Sequence, residues 1–398
     1  MTEVRPADFF NIMVNKAVEK KASDIHIEPR ENRLVVRFRI DGALREIFLI
    51  ENDKGYVDAL IFYIKVLSKL RTDEHMAPQD GKIAFALEDG RKIDIRVSIL
   101  PISFGEKVVM RVLGEQGKEL TLDVLGFSQH DKDKIKSAYM SPHGMILATG
   151  PTGSGKTTTL YTILKILNSE ERNITTIENP IEYNIDGVNH IQVNPKANLT
   201  FSSGLRSILR QDPDIIMVGE IRDNETAKIA INSAMTGHLV LSTLHTNDAI
   251  TTIPRFMNMG IEPFLLASTL NLIIAQRLAK RICEHCKYAR NITTEEYIEL
   301  KRFRPDITAL IPPKERVFEG KGCEKCENRG TKGRIGIYEV LDVVKEIRNA
   351  IVSKRSMDDI KRLAIKHGLV TILEDGVAKV KSGLISLSEL VKVTALKD

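Results

Sequence analysis

The chain has 398 residues, enough for two or three domains, and its 42% hydrophobic and 28% charged content is that of a folded globular protein, not a disordered one. A net charge of +5 over this length is too dilute for the dense basic clustering of a nucleic-acid binder. Charges scattered through MTEVRPADFFNIMVNKAVEKKASD exclude a secretory signal, and no apolar run approaches the ~18 residues of a membrane span, so a cytoplasmic protein is expected.

From Ala7 to Lys20, apolar residues at helical spacing (Phe9, Phe10, Met13, Val14, Ala17, Val18) predict an amphipathic helix. LVVRFRIDGALREIFLI then reads as a hairpin turning at Asp41-Gly42. A helix around Val57 to Leu70 and strands in KIAFALEDGRKIDIRVSIL and KVVMRVL complete a small α+β domain over residues 1–114. Residues 115–140, which begin in GEQGKELTLDVLGFSQHD, read as a linker. The pattern then alternates strand and helix through MILATG, NITTIE, IIMVGE and LVLSTL, which predicts a parallel sheet flanked by helices over residues 141–281. Within it a long helical region is expected from Ala249 to about Arg281, with Phe264–Ala275 as a core helix. A cysteine segment spans 282–338 and a helix-patterned tail 339–398.

Gly150-Pro151-Thr152-Gly153-Ser154-Gly155-Lys156-Thr157, followed by Thr158, fits the P-loop pattern between a buried strand and a helix. Such a loop turns backbone N–H groups toward phosphate; Lys156 would reach the β and γ oxygens and the Thr157 hydroxyl would ligate Mg²⁺. Hydrolysis also needs carboxylates at strand ends. Glu220, closing Asp214-Ile-Ile-Met-Val-Gly-Glu220, and Glu178, in Ile177-Glu-Asn-Pro-Ile-Glu182, are the candidates, with their division of labour left open and Glu182 equally readable as a solvated loop acid. His238 and His245 flank the strand Leu239–Leu244, near its opposite ends; either is a γ-phosphate sensor or an ordinary polar residue.

GPTGSGKTTTLY, TIENPIE, RQDPDIIMVGEIRD and MTGHLVLSTLHTNDA, in this order, resemble the Walker A, Asp box, Walker B and His box of the secretion ATPases of type II secretion and type IV pilus assembly. ASDIHIEPR and RFRIDGALRE resemble that family's second N-terminal domain, and AQRLAKRIC with GCEKCENRGTKGRIGIYEVL its tetracysteine module. The resemblance implies a RecA-like core and a homo-hexameric motor using ATP and Mg²⁺ at the cytoplasmic face of the inner membrane. Its partners would be a membrane platform protein and a cytoplasmic docking component, without direct nucleic-acid contact. It further implies that Glu178 and Glu220 are hydrolytic acids, that His238 and His245 form the His-box pair, and that Arg96 and Arg111 reach the phosphates from the N-terminal domain.

Asn179 stands where the family usually has aspartate, and the chain opens at the second N-terminal domain, a short or truncated form. A DNA-uptake or conjugation-type motor of the same superfamily is the rival. From other classes come a low-turnover nucleotide-dependent scaffold, which the intact acids oppose, and a helicase, which the absence of a basic aromatic stripe opposes.

Cys283, Cys286, Cys323 and Cys326 are the chain's four cysteines, two CxxC pairs with 36 residues between them. A reducing compartment argues against disulfides, and two knuckles of two thiolates form the ligand set of a closed, structural Zn²⁺ site. A redox CxxC is the alternative, and His285 reads as a bystander. Within the resembled family this module leans toward assembly and secretion motors, because retraction motors lack it.

Overall fold

The computed structural model describes residues 4–51, 54–113 and 120–395, and the chain divides into two units, Met1–Lys118 and Glu119–Asp398. In the first, α1 (Pro6–Glu19) starts on a proline and buries Phe9, Phe10, Met13, Val14 and Ala17 at helical spacing. β1 (Asp24–Arg30), β2 (Arg33–Ile40) and β3 (Ala43–Glu51) follow, then α2 (Lys54–Leu67), β4 (Gln79–Ala86), β5 (Lys92–Ile102) and β6 (Gly105–Leu113). The strands form one antiparallel sheet in the order β3-β2-β1-β6-β5-β4. The turn between β2 and β3 sits at Asp41-Gly42, both at positive φ (50° and 81°), as a two-residue hairpin turn demands. One sheet face shares a core with both helices through Ile25, Phe38, Ile95 and Met110. The alternate residues Arg39, Asp24, Arg111, Arg96 and Lys82 stand opposite one another across five neighbouring strands, in a single row on the other face.

The second unit opens with α3 (Leu122–Leu125) and α4 (Gln129–Tyr139), so most of the stretch expected as linker is helical, and residues 114–119 lie outside the described residues. Thr121 and Ser128 cap these helices, Gly126 ends α3 and α4 buries Ile135 and Ala138; from Thr121 on, the polar residues and the glycine that suggested a linker serve as caps. Next come β7 (Gly144–Thr149), α5 (Lys156–Leu167), β8 (Ile174–Glu178), β9 (Val188–Gln192), α6 (Phe201–Ile208), β10 (Ile215–Val218), α7 (Asn224–Met235), β11 (Leu239–Leu244), α8 (Thr252–Asn258) and α9 (Pro263–Thr269).

β12 (Leu270–Ile282) corrects the expected long helix from Ala249 to Arg281: only α8 and α9 are helical there, and Phe264–Ala275 is divided between α9 and β12. β12 lies between β7 and β15, covered on both faces, so its apolar run lacks the alternation that marks a half-exposed strand. The cysteine segment holds β13 (Lys287–Asn291), α10 (Thr294–Phe303), α11 (Pro305–Thr308) and β14 (Arg316–Gly320); β15 (Thr331–Asp342) then rejoins the main sheet. The tail carries α12 (Lys345–Val352), α13 (Met357–Lys366), α14 (Ile372–Lys381) and α15 (Leu387–Thr394). The main sheet runs β15-β12-β7-β11-β10-β8-β9, parallel except for β15, with a separate apolar cluster on each face.

Candidate functional site

Six buried residues of β7 lead into the loop 150–155, and Lys156 opens α5. Gly150 (φ 140°) lies so close to β12 that a Cβ there would sit 2.4 Å from the Gln276 carbonyl oxygen. Lys156 Nζ donates to the carbonyls of Gly150 (2.9 Å) and Pro151 (3.2 Å), so the ammonium lies in the mouth of the loop above the helix N-terminus. Burial pushes this ammonium down to about 8; Glu220 opposes that shift and Arg277 adds to it.

Gln276 escaped the sequence reading. Its buried amide donates to Ser154 O (2.7 Å) and accepts from the Thr159 hydroxyl (2.9 Å), bracing the loop against α5 from β12. The signal was present: an amide set among apolar residues in the middle of LNLIIAQRLAKRI.

The parallel register of β7, β11 and β10 brings further groups to the same pole. Leu244 pairs with Thr149 and Ser242 with Val218, so His245 and Glu220 both emerge next to the loop. Glu220 Oε2 accepts from Arg222 Nε (2.5 Å) and lies 3.6 Å from His245 Nε2. Burial and the nearby Lys156 hold His245 below the usual histidine range, with Glu220 opposing, so the imidazole is neutral at physiological pH.

His238 precedes the other end of β11, about 20 Å away at the usual strand rise, where its Nδ1 lies 2.9 Å from Ser233 O. Within one chain the structure therefore brings His245, not His238, to the loop.

Glu178 ends β8, but its carboxylate is 2% exposed and both oxygens are taken. Tyr161 OH donates to Oε2 (2.6 Å), Thr176 Oγ1 donates to Oε1 (2.6 Å), and His190 Nδ1 lies 3.0 Å from Oε1. Tyr161 and His190 carry no sequence motif for this contact and were also missed.

In the N-terminal unit Arg96 and Arg111 face each other across β5 and β6. Like charges directly opposite in a sheet are destabilising. Asp24 offsets part of this, lying 3.1 Å from Arg111 Nε and 3.6 Å from Arg39 Nε.

The four cysteine sulfurs lie within 4.8 Å of one another, with Cys283–Cys323 at 3.9 Å, Cys286–Cys326 at 3.8 Å and Cys323–Cys326 at 3.7 Å. A tetrahedral ion bound at ~2.3 Å requires about 3.8 Å between sulfurs, so the cluster fits a metal ion. Backbone N–H groups of Cys323 (3.2 Å) and Gly330 (3.3 Å) point at Cys326 Sγ and would share the charge of a bound thiolate. His285 is exposed and outside the cluster.

A parallel sheet that carries a P-loop and strand-end acids at one pole defines a RecA-like P-loop ATPase. The chain belongs to the type II/IV secretion system protein family, whose sequence profile matches residues 5–392. It is 47% identical over 384 residues to type II secretion system protein E of Aeromonas hydrophila, covering 96% of this chain and 74% of that protein. It is 44% identical over 389 residues to the type IV pilus assembly ATPase PilB of Myxococcus xanthus, covering 97% and 67%. Among solved structures, the pilus retraction motor PilT with bound ADP superposes with TM-score 0.68 at 26% identity, covering 98% of this chain and 97% of that one. The ATPase DotB of Legionella pneumophila, at TM-score 0.73 and 22% identity over 98% and 96% of the two chains, shares the fold. The chain is accordingly an ATPase of this family.

Because Lys156 is depressed from 10.5 to about 8 in the free protein, phosphates that restore its charge must draw in a proton above that pH. Calorimetry with metal-free ADP is expected to show level affinity up to about pH 8, then a fall approaching tenfold per pH unit with proton uptake. Affinity that stays flat between about pH 7 and pH 9 would contradict this environment for Lys156.

Proposed function

We propose that this chain is the Mg-ATP-hydrolysing motor of a type II secretion or type IV pilus system and drives pseudopilus or pilus assembly. The observation that carries the reading is the convergence of Lys156, Glu220 and His245 at the C-terminal ends of β7, β10 and β11. Lys156 and the backbone N–H groups of Gly153, Ser154, Gly155, Lys156, Thr157 and Thr158 bind the β and γ phosphates at the N-terminus of α5. Glu220 holds the attacking water and its carboxylate accepts the water's proton as the water oxygen bonds to the γ phosphorus and the bond to ADP breaks. His245, neutral and adjacent, hydrogen-bonds the γ-phosphoryl oxygens. The Thr157 hydroxyl would hold Mg²⁺, which when bound spreads the phosphate charge. Glu178, with both oxygens committed, acts from beneath the site.

Arg96 and Arg111 supply guanidinium charge to the transferring phosphoryl from the N-terminal unit, which ties turnover to domain motion. Their facing positions across β5 and β6 gather two guanidinium groups at one place, which supports this. The four cysteines hold Zn²⁺ in a structural site, consistent with their four-thiolate geometry. No helix among the described residues is long and apolar enough to cross a membrane. We place the motor as a homo-hexamer at the cytoplasmic face of the inner membrane, working on a platform protein with a cytoplasmic docking component; likeness to a type II secretion system protein and a type IV pilus assembly ATPase supports the secretion or pilus setting.

Glu220→Gln should lower ATP turnover by about 10²- to 10⁴-fold with ADP affinity kept, and Lys156→Ala should lose both; near-normal turnover in either variant would refute the site. Arg96→Ala and Arg111→Ala should depress kcat with little change in nucleotide affinity, and equal loss of both quantities would count against their role. Elemental analysis of protein purified without chelator should find about one zinc per chain, lost in the Cys283→Ser/Cys323→Ser variant; zinc-free wild type would reject the metal.

A further inference from the structure

Glu178, Thr176, Tyr161 and His190 form a closed polar cluster beneath the site, with Glu178 2% and the His190 side chain 4% exposed. His190 lies on β9, directly opposite Thr176 of β8. The protonation of its ring follows from its neighbours. Nε2 accepts the backbone N–H of Ile185 at 3.1 Å, so the proton of the neutral ring sits on Nδ1. That Nδ1 faces Glu178 Oε1 at 3.0 Å and Thr176 Oγ1 at 2.9 Å. Burial and the adjacent Glu178 raise the Tyr161 phenol far above its usual range, so it remains a donor to the other carboxylate oxygen.

Two mechanical links run outward from this cluster. Tyr161 lies on α5, whose first residue is Lys156. Glu178 also backs Gly219: the Gly219 N–H donates to Ile177 O at 2.8 Å, and a Cβ at 219 would lie 3.3 Å from Glu178 Cα. Glu220 is the next residue. A shift of Glu178 therefore moves the backbone that carries Glu220.

We propose that His190 is a positioning residue for ATP hydrolysis: clamped by Ile185 as the Nδ1–H tautomer, it locks Glu178 against the P-loop helix and thereby sets the place of Glu220. This rests on Glu220 being the hydrolytic base. His190 itself touches neither nucleotide nor water and acts through Glu178. The cluster also ties the segment between β8 and β9 to the nucleotide site, because the same ring holds Ile185.

Steady-state ATP hydrolysis with Mg-ATP and ADP calorimetry on the full chain test the proposal. His190→Ala should lower kcat about tenfold, the scale of one lost hydrogen bond, with KM and ADP affinity within about twofold of wild type. His190→Gln, whose amide can donate to Glu178 and accept from Ile185, should recover most of that loss. Introduced on top of Glu178→Gln, His190→Ala should cost nothing further, because its route is already cut. Tyr161→Phe, which removes one donor and keeps the ring, should show the same selective loss of kcat and serves if His190→Ala does not fold. Unchanged kcat in both His190→Ala and Tyr161→Phe, equal impairment of His190→Gln and His190→Ala, or multiplying losses with Glu178→Gln would each overturn it. Full turnover by Glu220→Gln would instead remove the reading beneath it, whatever the His190 variants show.

Discussion

The site depends above all on the parallel register of three central strands. β7 opposes β11 from Gly144 with Leu239 to Thr149 with Leu244, and β10 follows β11 in step. Parallel strands in register end at the same edge, so the loop after β7, Glu220 after β10 and His245 after β11 arrive together. Hydroxyls reinforce the alignment where the strands end: Ser242 donates to Val218 O at 2.7 Å, Thr243 to Gly219 O at 2.7 Å, and Thr149 accepts from the Thr246 N–H at 2.9 Å. Side chains so placed need little ordering when the nucleotide arrives, and a preorganised site of this kind gives rate as well as affinity.

The same frame divides the two acids that motif order alone made equivalent. Glu220 lies beyond the last residue of its strand, within reach of Lys156 and His245. Glu178 is still part of β8, so its side chain turns into the layer beneath α5 and meets Tyr161. Two positions past the end of β10 leave Glu220 beside His245, whereas Glu178, the last residue of β8, is closed in. The His-box pair divides for a related reason: seven positions along an extended chain place two residues at opposite ends of a strand, whatever their proximity in sequence.

β12 shows where reading from pattern fails. Its Leu, Ile and Ala content at 270–282 suits a buried helix or a buried strand equally, and only its partners decide. With β7 on one side and β15 on the other, hydrogen bonding to both neighbours outweighs the local helical tendency of the preceding α9. That outcome has a chemical consequence. As a strand beside β7, this segment places Gln276 against the P-loop, where it brackets Ser154 and Thr159. β15 likewise closes the cysteine excursion by pairing with β12, which brings the knuckles at 283–286 and 323–326 to one point.

Much of the chemistry was legible in residue order because it depends on local geometry. A P-loop needs its glycines, lysine and hydroxyl within one turn of chain, a CxxC knuckle holds two thiolates within four residues, and the Asp-Gly hairpin needs φ values that few other pairs adopt. The strand-helix alternation and the family likewise follow from short patterns taken in order. Contacts between distant segments were not legible. Gln276 meets Ser154 from 122 positions away, and His190 meets Glu178 through a parallel pairing whose register no local pattern states. Residue order sets what each segment can do alone, because propensity, turn geometry and ligand spacing act over a few residues. Which side chains meet, which acid is closed in beneath α5 and which histidine stays remote from the loop were decided by the sheet, because hydrogen-bonded register acts across the whole fold.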